Sequence, residues 1–139
     1  MPTLPALLIG ASAAVILLLG LAHLIFTFHG PAFMPRDRAL KARMAEVTPV
    51  ISGDTTMWKA WVGFNASHSA GAILFGAVYG YLALVHAAFL FGSAYLLALG
   101  GVLLCAYLVL AWRYWFSTPF RGIGLALGLY VLALLPVWG

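Results

Sequence analysis

Between Trp58 and Trp112 the chain reads WKAWVGFNASHSAGAILFGAVYGYLALVHAAFLFGSAYLLALGGVLLCAYLVLAW, and Lys59 is the only charged side chain in it. As one straight helix this run would extend about 80 Å, against a hydrocarbon core of about 30 Å. It must fold back once. No proline and no polar cluster marks the reversal, but Gly80 to Ser93, holding His86 and Gly92, lies near the centre. The run therefore reads as two spans, at about 57–82 and about 90–113. The turn between them (Ala83, Leu84, Val85, Ala87, Ala88, Phe89) is apolar and belongs in the headgroup layer.

Working outward, a second apolar run covers Leu4 to Phe28 and stops at Gly30 and Pro31. No Lys or Arg precedes it, and it exceeds the usual core of a signal peptide, so a retained span is expected. Downstream, Pro119 opens a fourth span at about 119–138. A hydrophobic fraction of 65%, a charged fraction of 7% and a mean hydropathy of +1.07 leave too much apolar surface for a soluble core of this length. The expected fold class is an all-α integral membrane protein. It is a four-transmembrane-helix bundle forming a single membrane domain over residues 1–139.

Charge sets the expected topology. Arg36, Arg38, Lys41, Arg43 and Lys59 follow the first run, and Arg113 and Arg121 bracket the junction of the last two; Asp37, Glu46 and Asp54 share the first stretch. The other ends of the spans carry no charge. The positive-inside rule then puts both basic loops in the cytoplasm and both termini outside, in the plasma membrane. Trp58, Trp61, Trp112 and Trp115 mark the cytoplasmic border and Trp138 the opposite one. The net charge of +4 is no nucleic-acid footprint, because no basic helix face with interleaved aromatics exists. A single cysteine, Cys105, excludes an internal disulfide and reads as a packed thiol.

Residues 33–56 have a pattern of their own. Pro35 can open a short amphipathic helix with Leu40, Met44 and Val47 on one stripe and Arg36, Lys41 and Arg43 outside it. Asp37 and Lys41 form a supporting pair at i,i+4. Such an arm would lie on the inner leaflet against anionic lipid. Pro49 ends it, and Asp54 or Thr55 can cap the next helix. Small residues recur at four-residue spacing: Ala72, Gly76 and Gly80 on the second span, Gly124 and Gly128 on the fourth. These seams either pack the monomer or join the chain to a second copy or another membrane subunit.

Depth singles out one cluster. At helical rise His23 lies roughly 8 Å inside the basic border, Asn65 and His68 roughly 6 and 10 Å, Tyr107 about 9 Å and Tyr130 about 13 Å. Each span thus places a hydrogen-bonding side chain in one slab. Trp61, Asn65 and His68 share a helix face, as do His23 and Thr27. Unpaired, such groups cost several kcal/mol each in lipid, so they are expected to turn inward and meet. The plain alternative is helix glue, at about 1 kcal/mol per contact. In Gly63-Phe-Asn-Ala-Ser-His-Ser-Ala-Gly71, the Asn65-Ala66-Ser67 sequon is dismissed because it sits in a span, and Ser67 and Ser69 can bond their own helix carbonyls.

Three functional readings follow. The first is a site for a lipophilic ligand, a lipid or quinone-like molecule. Aromatics (Trp61, Phe64, Phe75, Tyr107) would floor it, and Lys59, Arg113 and Arg121 would meet the headgroup. Whether any reaction follows is open, since no acid lies in a span and no nucleophile–base–orienter triad is readable. The second is a non-catalytic accessory subunit. The third is haem held by His23 and His68, with Gly20 and Gly71 each three residues from a histidine. No metal site is expected: His23, His29 and His68 with Asp37 or Asp54 are chemically acceptable ligands, but no metal-ligand spacing is present.

Overall fold

Four helices in the computed structural model are long and apolar enough to cross a membrane, and the expected bundle of spanning helices is what the chain forms. The structure describes residues 2–138, with side chains as far as Leu135, so the Trp138 side chain lies outside the described residues. The elements are α1 (Leu4–Phe28), α2 (Arg38–Glu46), α3 (Met57–Val85), α4 (Ala87–Phe91), α5 (Ala94–Tyr114) and α6 (Ser117–Trp138). At most a third of the residues in any span's most apolar window are buried. Outward positions are filled by side chains such as Leu18, Leu74, Val102 and Leu132, which need lipid around them.

The first span ends where expected. The central reversal is sharper than its apolar sequence suggests. Helix α3 continues to Val85, His86 leaves helical geometry (φ −127°, ψ 43°), and the five-residue α4 follows. Ser93 then caps α5, its hydroxyl accepting from the Leu96 N–H at 3.3 Å. Pro119 is not the first residue of α6, which starts two residues earlier at Ser117. Proline is tolerated there because first-turn N–H groups have no partner within the helix.

The residues form two compact units: residues up to Leu19 with those from Ala72 onward, and Gly20–Gly71. Helices α1 and α3 each contribute to both. The core of the first unit repeats at three- and four-residue intervals: Ala6, Ile9, Ala13 and Ile16 on α1; Ala72, Phe75, Tyr79 and Ala83 on α3; Leu97, Leu104 and Ala111 on α5; Ile123, Ala126, Tyr130 and Ala133 on α6. A period near 3.5 keeps one face of each helix on its neighbours. The α3 seam is used here. A Cβ at Gly76 would stand 2.6 Å from the Leu17 Cβ and 2.7 Å from the Ala13 carbonyl oxygen, and one at Gly80 would lie 3.6 Å from the Ala13 Cβ. The α6 seam is not used in this way: Gly124 has only an ordinary contact with Leu108, and Gly128 faces open space. Ser12 Oγ donates to the Ala126 carbonyl at 2.7 Å, tying α1 to α6.

Cys105 corrects its expectation. It is exposed on the outward face of α5 rather than packed.

In the second unit the connector differs from its sequence reading in three details. Asp37, not Pro35, sets the start of α2, accepting from the Ala39 N–H at 2.8 Å. That bond draws Asp37 from the expected pair with Lys41, whose Nζ lies 5.2 Å from the Trp58 ring centroid. The ion pair that forms on α2 is Arg43 with Glu46, at 3.2 Å. Thr56, rather than Asp54 or Thr55, caps α3 by accepting from the Lys59 N–H at 3.3 Å. Asp54 instead meets Ser52.

Candidate functional site

The second unit brings together the last turns of α1, the first turns of α3 and the connector between them. His23 Nε2 lies 2.9 Å from Asn65 Oδ1. Asn65 Nδ2 donates to the Trp61 carbonyl, one turn back on its own helix, at 2.8 Å. This second bond fixes the first. A carbonyl only accepts, so the amide nitrogen must face Trp61, and the amide oxygen faces the imidazole. His23 is therefore the donor, with its proton on Nε2.

The His68 ring meets that of His23 edge to face, with centroids 5.1 Å apart. The seven-residue walk from Trp61 through Asn65 to His68 put these groups on one face, and they meet there. Ser67 and Ser69 do bond their own helix, to the carbonyls of Phe64 and Asn65 at 3.0 and 2.8 Å. Thr27 Oγ1 likewise donates to the His23 carbonyl at 2.8 Å.

One member of the site comes from the connector. Gly30 has φ +86°, the only positive φ among the described residues, and this left-handed turn sends the chain back across the end of α1. Phe33 then places its ring 4.3 Å from the His23 ring, tilted by 31°. Its carbonyl accepts from Trp61 Nε1 at 2.9 Å. The indole thus latches the connector over the imidazole. Beside the latch is a narrow crevice of about 10 Å³ walled by Phe26, Gly30, Phe33, Met34, Trp58, Trp61 and Val62, with Thr27 and Asn65 as its polar lining.

The other predicted site residues belong to the first unit. Tyr130 is buried and donates to the Leu97 carbonyl at 2.9 Å. It stands edge-on to Tyr79, whose hydroxyl bonds the Leu96 carbonyl at 2.7 Å. Gly100 makes room for both, since a Cβ there would lie 2.5 Å from the Tyr130 hydroxyl and 2.6 Å from the Tyr79 ring. Tyr107 is half-buried, with its ring 6.3 Å from that of Trp115. Arg113 and Arg121 are exposed, the former 5.8 Å from the Trp112 centroid. Two expected floor residues are placed otherwise. Phe64 is 75% exposed, and Phe75 stacks on Tyr79 in the core of the first unit.

Sequence reasoning missed Phe33. Ten residues beyond His23 in a connector, it has no helical register to mark it, and only Gly30-Pro31 hints at the reversal. It also missed Tyr79, whose partner glycine lies on another helix. Among the described residues no three His, Cys, Asp or Glu come together as a metal-binding group. No protein-family model, no curated protein and no solved structure matches this chain, so its chemistry is judged from this geometry alone.

Proposed function

We propose that this chain binds a membrane-soluble amphiphile, a lipid or quinone-like molecule, at the His23–Asn65–His68 site. The observation that carries the proposal is a crevice with aromatic and aliphatic walls whose polar edge includes the amide bonded to His23. Its cavity volume of about 10 Å³ is far below the roughly 300–1,000 Å³ that encloses a whole drug-sized ligand. It admits only the polar tip of a headgroup, with the body and tail left among the acyl chains. Asn65 and Thr27 line it, and Phe33 packs against the imidazole of His23. By the positive-inside rule, this end of the bundle faces the cytoplasm of a plasma membrane, and both termini are outside.

Haem is opposed by the same geometry. Two axial imidazoles must leave about 4 Å between their donor nitrogens, with the porphyrin plane in the gap. Here the rings touch edge to face, and His23 Nε2 is bonded to Asn65. The accessory-subunit reading retains one support, the outward-facing Gly128 on α6, where a partner helix could approach closely.

The test is mass spectrometry of lipophilic molecules that co-purify with the chain, compared with Asn65→Leu and His68→Ala. Helicity and monodispersity serve as folding controls. A species depleted about tenfold in both variants is expected. An unchanged extract from folded variants would overturn the proposal.

A further inference from the structure

We infer that the connector carries a second, separate site, for the phosphate headgroup of an anionic phospholipid. One face of α2 and the chain before it line an open groove of about 630 Å³ with Arg36, Arg38 and Lys41 on its walls. Met34, Ala42 and Ala45 supply apolar lining. The groove is cationic because its lining holds three basic residues and no acid. Asp37 accepts from the Ala39 N–H, Glu46 from Arg43, and Asp54 from the Ser52 hydroxyl, and none of the three lines the groove.

Each of the two guanidiniums lining the groove can donate a pair of parallel bonds to the oxygens of a phosphate. Lys41 also lines the groove, with its ammonium 5.2 Å from the Trp58 ring centroid.

Two features identify the source of that phosphate as a lipid. The apolar lining has no use for a free anion but fits the glycerol and first methylenes below a headgroup. Farther along the same connector, Val50 and Ile51 are 109% and 93% exposed, at the turn closed by the Ser52 N–H on the Pro49 carbonyl. Such a tip gains about 25 cal/mol for each Å² of apolar surface it moves from water into the bilayer interface.

This site does not rest on the crevice at Asn65, and the experiment separates them. The full chain in detergent micelles is offered phosphatidylglycerol and phosphatidylcholine in equal amounts, and bound lipid is counted by native mass spectrometry. The expected result is a preference of about tenfold for phosphatidylglycerol, falling below twofold in Arg36→Gln/Arg38→Gln. The preference should persist in Asn65→Leu and in Arg113→Gln/Arg121→Gln, which removes equal charge elsewhere. Equal binding of the two lipids by the unmodified chain overturns the inference without recourse to any variant. So does equal loss in the Arg113/Arg121 control, loss in Asn65→Leu, or displacement of the lipid by millimolar inorganic phosphate.

Discussion

At the scale of single residues, the site is decided by one amide. Asn65 donates to Trp61 and so must accept from His23, which predicts the Nε2–H tautomer for His23. Nitrogen-15 NMR of labelled histidine in micelles should show it, and an Nδ1–H tautomer would contradict the geometry. Asn65→Ala should release that preference and lower stability by about 1 kcal/mol, the usual scale of a hydrogen bond between helices in lipid. The latch makes a second prediction. Trp61→Phe keeps the aromatic wall but removes the donor to the Phe33 carbonyl. Phe33 should then loosen from His23, and diethylpyrocarbonate should modify the imidazole several-fold faster; an unchanged rate would mean that Phe33 holds by packing alone. His23, Asn65 and His68 were legible because a span fixes depth, and depth plus the cost of unpaired polar groups leaves few partners. Tyr130 had the same depth logic but a different partner. A tyrosine hydroxyl stands at the end of a long ring, and Gly100 opens a backbone carbonyl region to it. Depth along a helix says nothing about that lateral reach.

At the scale of the element, the two glycine seams separate what spacing shows from what it hides. Both repeat every four residues, yet only α3 has a backbone pressed against its Gly76. Gly76→Ala should therefore cost about 1–3 kcal/mol or more, as overpacking does when the neighbour is main chain and cannot turn aside. Gly128→Ala should stabilise by up to about 1 kcal/mol through helix propensity, since its Cβ meets nothing. Unfolding of the two variants in mixed micelles measures the contrast, and a costly Gly128→Ala would instead reveal a partner on α6. Periodicity gives a stripe but not the direction in which the stripe faces, so the seam on α3 and the seam on α6 looked alike in the sequence. The connector illustrates a similar limit. A helix after Pro35 was legible from Leu40, Met44 and Val47, but Asp37 takes the cap because its carboxylate reaches the Ala39 N–H. Competing caps two residues apart differ by less than pattern reading resolves.

At the scale of the whole molecule, the class was legible because 55 nearly uncharged residues cannot remain one helix, and charge at only one set of loops implies a direction. Every net positive charge lies in the stretches 36–59 and 113–121, five cations with three acids in the first and two cations in the second. Each charge moved across a membrane potential costs about 2.3 kcal/mol per 100 mV, so the two possible insertions are far from equivalent. The orientation can be tested with single cysteines in a Cys105→Ser background, which removes the thiol exposed on α5. Gly53 suits one probe, because it is exposed, has no positive φ, and a Cβ there meets nothing within 4 Å. Phe89, 65% exposed on α4 between α3 and α5, suits the other. In intact cells a membrane-impermeant maleimide should label Phe89→Cys and leave Gly53→Cys untouched until the cells are opened. The inverse pattern would place the basic loops outside, and the His23 crevice and the arginine groove would then draw on the outer leaflet. Labelling of both in intact cells would show two orientations, and would set the charge asymmetry of the sequence against whatever else directs insertion.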